Sequence, residues 1–288
     1  MKGLGSGAAT PHIQAMERPV RRIEPAQPPG RSAPTHANRM VVAPGDFADH
    51  SPFLMLAEDW FAPPAGFPTH PHRGMETVTI VLEGSIEHRD HTGAHGLIGE
   101  GDVQWMTAGK GVLHSEMPGP QGVHSLQLWL NLPADRKMSP ARYADQRGVD
   151  TPAITGDGSE IRVYAGEQGG ISSPHGSSYP MGLFALKLEA GASTRLQLPA
   201  DERVFIYAVE GSARLGAGSV LLQAGHVAWL DPTDGADALT VSGEAPFRAV
   251  VFSGRPIDEP VAAYGPFVMN TREEIEQAFA DYRSGAFV

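Results

Sequence analysis

Four residues in two short runs have the types and the spacing of metal ligands. His70 and His72 stand in the run THPHRG, and His114 and Glu116 stand in the run VLHSEMP. Because successive side chains of a β-strand point to opposite faces, the i and i+2 residues of each run share one face. Two such strands facing one another inside a barrel would bring three imidazoles and one carboxylate to a common point. A divalent transition metal is the natural occupant of such a set.

The ligand types favour a catalytic metal over a structural zinc. Structural zinc sites are usually closed tetrahedra that employ cysteines, and this sequence has no cysteine. On a metal that takes six ligands, three histidines and one carboxylate would leave two positions open. Those positions suit a bidentate substrate, or a substrate and dioxygen, as in the two-histidine, one-carboxylate iron sites.

Short β-rich runs must position these ligands. From Met40 to about Leu132 the runs VTIVLEG, DVQWM and LQLWLNL are typical, and Gly, Pro and Asp separate them. No long amphipathic helix interrupts the pattern. Short strands at this spacing predict an all-β barrel or sandwich.

An internal duplication predicts a second barrel. VTIVLEGS (78–85) matches FIYAVEGS (205–212) at an offset of 127 residues, and GDVQW (101–105) matches GHVAW (225–229) at an offset of 124. Self-similarity at a fixed offset indicates a repeated structural unit. The same offsets place no comparable ligand set in the second repeat, where the equivalent residues are Gln197, Pro199, Ala238 and Thr240. The first barrel is therefore predicted to contain the metal site, and the second barrel is predicted to have a structural role only.

The chain is predicted to have three parts. Residues 1–38 contain six prolines and few large apolar residues, which predicts a flexible arm. Residues 39–150 are predicted to form the N-terminal barrel with the metal site. Residues 151–288 are predicted to form the C-terminal barrel without a metal.

A short helix is predicted near the end of the chain, in TREEIEQAFADYRSG. Thr271 and Glu274 have the spacing of a capping box, and Gly285 follows as a stop signal. Ile275, Phe279 and Tyr282 share one face of this helix. We expect that face to pack on a barrel.

The composition of the chain limits which binding partners and which cellular compartment we expect. The formal net charge is −11 and the isoelectric point is near 5.5, which opposes direct binding of nucleic acid. No run of about 18 apolar residues is present, so no membrane span is expected. Disulfides and thiolate ligands are excluded because cysteine is absent. We expect a cytoplasmic protein, since no secretory signal pattern is found.

Four segments of the chain resemble the pirins, which are bicupins, the two-barrel members of the cupin superfamily. The segments are GFPTHPHRGMETVTIVLEGSIEHRDHTG, GEGDVQWMTAGKGVLHSEMP, LQLWLNLP and GPFVMNTREEI. The resemblance runs from about Met40 to the end of the chain. It implies one metal, usually iron, in the N-terminal barrel. The implied ligands match His70, His72, His114 and Glu116, and all four are present.

Other polar residues near the two runs are weaker candidates. Glu76 aligns with the usual glutamate of the first cupin motif, but in pirins the carboxylate ligand comes from the second motif, so Glu76 is only a candidate to support a ligand. His88, His91 and His95 in HRDHTGAH are predicted to be solvated in a loop. His124 is predicted either to donate to a ligand or simply to pack in a loop.

Arg73 and four large apolar residues before the ligands have open roles. Arg73 would either steer an anionic substrate or pin Glu76 or Glu83, and the structural role is favoured. A flat aromatic substrate would suit a pocket walled by apolar side chains. Candidates for that wall, which equally fit a barrel core, are Phe53, Met55, Trp60 and Phe67.

The resemblance leaves several functions open, because pirins differ in what they do. Some bacterial pirins act as quercetin 2,3-dioxygenases, animal pirins are nuclear co-regulators of transcription, and a few bacterial ones modulate metabolic enzymes by contact. Our first hypothesis is a metal-dependent dioxygenase of the quercetinase type that cleaves a flavonol-like substrate with dioxygen. Glu116 would act in it as the catalytic base. Fe(II) is the expected metal, with Mn, Ni, Co, Cu or Zn as alternatives.

The second hypothesis is a metal-dependent regulatory protein without enzyme activity. Its partner would be a transcription factor or a metabolic enzyme. A third hypothesis is an isomerase or lyase that uses the same site without oxygen. A monomer is expected in each case, because the two barrels already pair with each other.

Overall fold

Antiparallel strands make up most of the chain, as the β-rich runs predict. The computed structural model describes residues 16–173 and 176–288. The strands of the first half, in chain order, are β1 (Arg22–Pro25), β2 (Gly30–Ala33), β3 (His36–Val42), β4 (Phe53–Phe61), β5 (Phe67–His72), β6 (Met75–Asp90), β7 (His95–Gly99), β8 (Val103–Thr107), β9 (Val112–Asn131) and β10 (Arg142–Gln146).

The second half repeats this organisation with shorter strands. They are β11 (Ala153–Gly156), β12 (Ser159–Ala165), β13 (Glu167–Gln168), β14 (Ile171–Ser172), β15 (Met181–Leu188), β16 (Ser193–Gln197), β17 (Arg203–Glu210), β18 (Ser212–Leu215), β19 (Val220–Gln223), β20 (His226–Leu230), β21 (Ala238–Gly243), β22 (Phe247–Gly254), β23 (Ala262–Tyr264) and β24 (Phe267–Met269). The helical elements are α1 (Phe47–His50), a 3₁₀ turn (Gly148–Asp150) and α2 (Arg272–Ser284).

The two halves of the chain build two barrels, except that β1 of the first half joins the second barrel. The first contains a nine-stranded sheet in the order β10-β8-β6-β9-β4-β3-β2, with β5 paired to β9 and β7 paired to β6. In the second, a seven-stranded sheet has the order β1-β20-β17-β22-β15-β12-β11 and a four-stranded sheet has the order β16-β21-β18-β19. The chain is thus an all-β bicupin with a short C-terminal helix, as predicted.

Local irregularities recur at the predicted offset between the two repeats. Strand β6 has a register shift at 81–83, and β17 has one at 208–210. The glycines that follow, Gly84 and Gly211, have φ values of 77° and 70°, a left-handed conformation that favours glycine because it has no Cβ. Both pairs of positions differ by 127 residues, so the duplication read from the sequence also holds for the backbone.

The two barrels pack together through the apolar faces of their large sheets. Val78 and Leu128 of the first sheet belong to the same buried cluster as Phe205 and Phe252 of the second. Phe53 also lies in this cluster, with its ring 4.9 Å from that of Phe205. Burial of apolar surface on both sheets stabilises the pairing of the barrels.

The barrel interiors differ in polarity. The C-terminal barrel is filled by aliphatic side chains such as Leu196 and Leu239, which are fully buried. In the N-terminal barrel, Thr79 and Gln104 occupy positions whose equivalents in the second repeat are Ile206 and Ala228. Buried polar groups need hydrogen-bond partners, so the first interior is built as a polar site and the second as a core.

The prediction of a flexible arm over residues 1–38 is wrong for the part that the structure describes, while residues 1–15 lie outside it. β1 pairs with β20 in the C-terminal sheet, and β2 pairs with β3 in the N-terminal sheet. Val20 and Ile23 pack on the core of the second barrel. This apolar contact fixes a segment whose proline content had suggested disorder.

The chain passes from one barrel to the other between Gln146, where β10 ends, and Ala153, where β11 begins. The predicted boundary between residues 150 and 151 falls within this connection. Whether the two parts fold as separate units stays a prediction.

Helix α2 has the predicted caps. The Thr271 side chain accepts from the Glu274 backbone, the Glu274 side chain completes the capping box, and Gly285 ends the helix with φ of 77°. Ile275 is buried against Phe267, and Leu113 of the first barrel joins their cluster. The C-terminal helix therefore returns to the N-terminal barrel. No helix among residues 16–173 and 176–288 has the length and apolarity needed to cross a membrane.

Candidate metal centre

The three predicted histidine ligands converge on one face of the first sheet. His70 and His72 lie on β5, and His114 lies directly opposite His70 on the neighbouring strand β9. The two strands are hydrogen-bonded neighbours in the same sheet. One potential ligand atom from each histidine lies within 4.8 Å of the other two. The i, i+2 spacing of His70 and His72, together with the pairing of His114 opposite His70, places all three imidazoles around one point.

Several ring nitrogens in this group lack a partner. In the described structure, both nitrogens of His72 and Nε2 of His114 are buried and make no hydrogen bond of ordinary geometry, although the nearby backbone of Pro266 acts to raise the pKa of His72. A buried polar atom without a partner costs about 1–3 kcal/mol. His70 differs, because its Nδ1 lies 2.8 Å from the carbonyl oxygen of Pro68, which leaves Nε2 available. A metal ion would satisfy these nitrogens, so the residues present fit the predicted cofactor.

Burial keeps the inner histidines neutral. Desolvation, followed by electrostatic repulsion between the His70 and His72 rings, lowers the pKa of His72 to about 3. The pKa of His114 is lowered for the same reason, with His72, His70 and His88 adding to the effect of burial. Neutral imidazole is the form that binds metals. The site therefore presents lone pairs rather than charges over the ordinary pH range.

Glu116, the predicted fourth ligand, lies two residues beyond His114 on β9 but is not part of the three-histidine group. Both of its carboxylate oxygens accept from Nε2 of Gln127 at 3.0 Å, and Oε1 also accepts from Oγ1 of Thr79 at 3.3 Å. Burial raises the pKa of Glu116, although the Gln127 hydrogen bond opposes that shift. Coordination by Glu116 stays a prediction.

His88 contributes to the site although its solvation in a loop was predicted. Strand β6 continues to Asp90, so His88 is a strand residue and is 1% exposed. Its Nε2 lies 3.0 Å from Nδ1 of His114. The alternation of buried Ile86 and His88 with the charged residues Glu87 and Arg89 is a period-2 pattern, which would have predicted the strand.

The other two histidines of that run, His91 and His95, are exposed, as predicted, although His95 begins strand β7 rather than lying in a loop. His95 forms an ion pair with Glu87. Of the three histidines in HRDHTGAH, only His88 therefore reaches the site.

Two aromatic residues that the sequence did not single out hold the histidines in place. The indole of Trp129 meets the His72 ring edge to face at 5.2 Å, and the ring of Tyr143 lies 4.6 Å from that of His88. Tyr143 comes from β10, at the far edge of the sheet. No local motif identifies either residue, because their contacts depend on strand order.

The second barrel repeats the backbone of the site without its ligands. Gln197 pairs with Ala238 in the register in which His70 pairs with His114. Within residues 16–173 and 176–288, the three histidines form the only cluster with metal-ligand geometry. The described part of the chain therefore has its candidate ligand cluster in the first barrel, and the division into a metal-binding and a structural barrel stays a prediction.

Comparison with known proteins now identifies the family. A family model described as pirin matches residues 31–130, and a model of the pirin C-terminal cupin domain matches residues 183–288.

The chain belongs to the pirin family.

Relatives in the pirin family are similar over most of their length. A pirin-like protein of Solanum lycopersicum is 44% identical over 81% of this chain and 81% of its own. A Pseudomonas aeruginosa protein named "Putative quercetin 2,3-dioxygenase" is 39% identical over 93% of this chain and 97% of its own. A solved structure titled quercetin 2,3-dioxygenase from Acinetobacter baumannii is 33% identical, covers 94% and 98% of the two chains, and has a TM-score of 0.84.

Two candidate supporting residues lie away from the histidines of the pirin site. Glu76 accepts from Oγ1 of Thr107 at 2.5 Å and from the backbone N–H of Ser178 at 2.9 Å, so it anchors a segment of the second half. His124 lies 2.8 Å from a carboxylate oxygen of Glu58 and stacks on Trp60. Neither contacts the three-histidine group, so the supporting role considered for each is not observed.

Arg73 has the structural role that was favoured, with a different partner. Its Nη1 lies 2.6 Å from Asp281 of helix α2, and its Nε donates to the carbonyl oxygen of Lys110 at 2.5 Å. The guanidinium also lies over the ring of Phe287. Arg73 therefore binds the C-terminal helix next to the end of strand β5. It was expected to pair with Glu76 or Glu83 instead.

The proposed aromatic wall is only partly formed. Phe67 lies beside the site, with its ring 6.3 Å from His70. Phe53 is buried between the barrels, and Trp60 lines a separate cavity of about 430 Å³ with His124. The alternation of β4 sends these side chains to the barrel interface and to another surface.

Proposed function

We propose that the chain is a metal-dependent dioxygenase of the quercetin 2,3-dioxygenase type, which cleaves a flavonol-like substrate with dioxygen. One observation carries the proposal. Neutral imidazoles with unpartnered nitrogens converge beside a buried carboxylate in one barrel, while the other barrel is packed with aliphatic side chains. The printed names of the Pseudomonas aeruginosa relative and of the Acinetobacter baumannii structure support this choice of reaction.

The proposed metal ligands are His70, His72, His114 and Glu116, and Fe(II) is the proposed metal. When bound, the metal would supply Lewis acidity to a substrate oxygen and a place for dioxygen beside it. The three imidazoles are already gathered, and burial keeps those of His72 and His114 neutral, so little rearrangement is needed to bind it.

Glu116 is the proposed base for the substrate hydroxyl. Oε1 accepts from both Gln127 and Thr79, whereas Oε2 accepts from Gln127 alone. Oε2 therefore has more capacity to accept the substrate proton. Because burial raises the pKa of Glu116, its basicity is closer to the range in which proton transfer is efficient at neutral pH. Gln127 and Thr79 orient the carboxylate for this transfer.

The proposal is tested by anaerobic reconstitution of the metal-free protein with Fe(II), followed by quercetin and oxygen. We expect loss of the flavonol absorbance and release of carbon monoxide. His72→Ala removes a proposed ligand and should abolish both, whereas His95→Ala, on an exposed histidine of the same barrel, should retain both. Absence of turnover with iron, manganese, nickel, cobalt and copper would exclude the quercetinase reaction.

A further inference from the structure

We propose that His88 is a positioning residue for the metal centre. Its Nε2 accepts a hydrogen bond from Nδ1–H of His114, and this leaves Nε2 of His114 free to bind the metal. The inference rests on the metal centre of the proposed function but not on its reaction. His88 lies outside both ligand runs, and the HPH and HSE patterns that identify the site do not include it.

The argument starts from the two nitrogens of His114. Nδ1 lies 3.0 Å from Nε2 of His88, while Nε2 is buried and without a partner. A neutral imidazole carries one proton, so the two nitrogens have opposite roles. If His114 binds a metal through Nε2, its proton must be on Nδ1, and that N–H must find an acceptor. Nε2 of His88 is the atom in reach.

The arrangement at His70 follows the same rule. Its Nδ1 lies 2.8 Å from the carbonyl oxygen of Pro68, an acceptor that fixes the same tautomer. At His70 the acceptor belongs to the backbone, and substitution cannot remove it. At His114 the acceptor is a side chain, so its contribution can be measured.

The His88 side chain is itself held in position by the residues packed around it. It is 1% exposed on β6, and the ring of Tyr143 lies 4.6 Å from its own ring. A ring in such a position has few rotamers available, so its Nε2 stays directed at His114. The opposite tautomer, with His88 donating to Nδ1, would put the His114 proton on Nε2 and block metal binding. The two alternatives are therefore distinguishable.

The first test compares Co(II) affinity in His88→Leu, His88→Gln and a matched control. His88→Leu removes the acceptor and should weaken Co(II) binding by about 10–100-fold, as loss of a ligand-orienting partner typically does. His88→Gln keeps an acceptor oxygen and should stay within about threefold of the wild type. His95→Gln changes an exposed histidine on the adjacent strand β7 and should leave the affinity unchanged.

The second test reads the tautomer directly. Long-range ¹H–¹⁵N spectra of the metal-free protein, assigned with His114→Gln, should show His114 protonated on Nδ1 in the wild type and mixed in His88→Leu. Thermal unfolding of each metal-free variant is measured first. Should His88→Leu not fold, Tyr143→Leu provides a second variant. It keeps the histidine at position 88 but removes the ring that packs against it.

Two results would overturn the proposal. One is a wild-type affinity for Co(II) in folded His88→Leu, and the other is an Nε2-protonated His114 in the wild-type protein. Loss of affinity in His88→Leu together with no quercetin turnover in any loaded form would uphold the positioning role while excluding the dioxygenase. Failure of the wild type to bind any divalent metal would remove the metal centre and this inference with it.

Discussion

At His72, both ring nitrogens are buried and neither has a hydrogen-bond partner in the described structure. Such a residue is unfavourable in the metal-free fold, because burial without a well-formed hydrogen bond is costly for a polar group. The fold therefore gives up stability to bury this imidazole in the candidate metal site. That cost should be visible in how the stability of the metal-free protein depends on pH.

We predict that the metal-free protein loses stability as the pH falls below about 6.5. The pKa of His72 is lowered from 6.5 to about 3 in the fold, so between these values only the unfolded chain binds the proton. Each histidine of this kind contributes a slope of up to about 1.4 kcal/mol per pH unit, and the loss grows toward acid. Urea unfolding at a series of pH values should show a flatter dependence in His72→Gln. An unchanged slope would contradict the assignment, and His95→Gln is the matched control.

We predict that substitutions of Glu116 and Gln127 change the rate of the proposed reaction and its dependence on pH. Glu116→Gln removes the proposed base and should lower kcat for quercetin by about 10²–10⁴-fold. Gln127→Leu removes hydrogen bonds that favour the ionised carboxylate, so the pKa of Glu116 should rise. The acid limb of the rate profile should then move to higher pH. Gln121→Leu, at an exposed position, is the control, and an unmoved limb in Gln127→Leu would exclude this role.

Among the elements, the segment before β1 closes the second barrel. Arg18 is 1% exposed and donates to the backbone carbonyl oxygens of Pro199, Glu202 and Asp231 at 2.8, 2.7 and 2.5 Å. Pro199 is the equivalent of His72 in the first repeat. The N-terminal segment thus covers the part of the second barrel where the first barrel has its ligands.

We predict that Arg18→Met lowers the free energy of unfolding by about 2–4 kcal/mol, because three carbonyl oxygens lose their hydrogen bonds to a buried guanidinium. Urea unfolding would measure the change. Arg31→Met, at an exposed arginine that reaches only the Pro34 carbonyl, should change stability by less than about 0.5 kcal/mol. Similar small effects in both variants would show that the segment contributes little to the barrel.

Only the first part of strand β6 can be predicted from the sequence. VTIVLEGS predicts a strand, because the run is rich in β-branched residues and recurs in the second half. Its continuation to Asp90 was missed, because histidine, arginine, aspartate and glycine in HRDHTG resemble a loop. Pairing with β9 extends the strand through this polar run, so tertiary hydrogen bonding outweighs local preference.

Across the whole molecule, a buried polar network joins the two barrels. Oε2 of Glu58 on β4 accepts from the hydroxyl of Tyr207 on β17 at 2.5 Å and from Nε of Arg39 at 2.6 Å. Burial opposes ionisation of Glu58, but hydrogen bonds from His124, Tyr207 and Arg39 outweigh it and lower its pKa. The network therefore holds a charged carboxylate at the contact between sheets.

We predict that Tyr207→Phe destabilises the protein by about 1–3 kcal/mol, because the buried carboxylate of Glu58 loses a donor. The Tyr207 side chain is fully buried, so water cannot easily replace the hydroxyl. Tyr264→Phe, at a residue that is 70% exposed, is the control and should be neutral. Equal stability of the two variants in urea would mean that the network adds nothing to the pairing.

The sequence by itself determined the ligand types, their i, i+2 spacing and the duplication with one ligand set. These properties are local or periodic, and strand geometry converts them directly into shared faces. Even the absence of ligands in the second repeat, at Gln197 and Ala238, was visible from the offsets.

Only the tertiary structure decided which residues support the site and join the barrels. His88, Gln127 and Arg18 each act through residues distant in the chain, and their type alone suggests solvated polar side chains. His88 and Arg18 are buried and Gln127 is half-buried because of strand register and barrel closure, which depend on the packing of the whole molecule. No local pattern contains that information, because a polar side chain can be buried only where distant partners satisfy its hydrogen bonds.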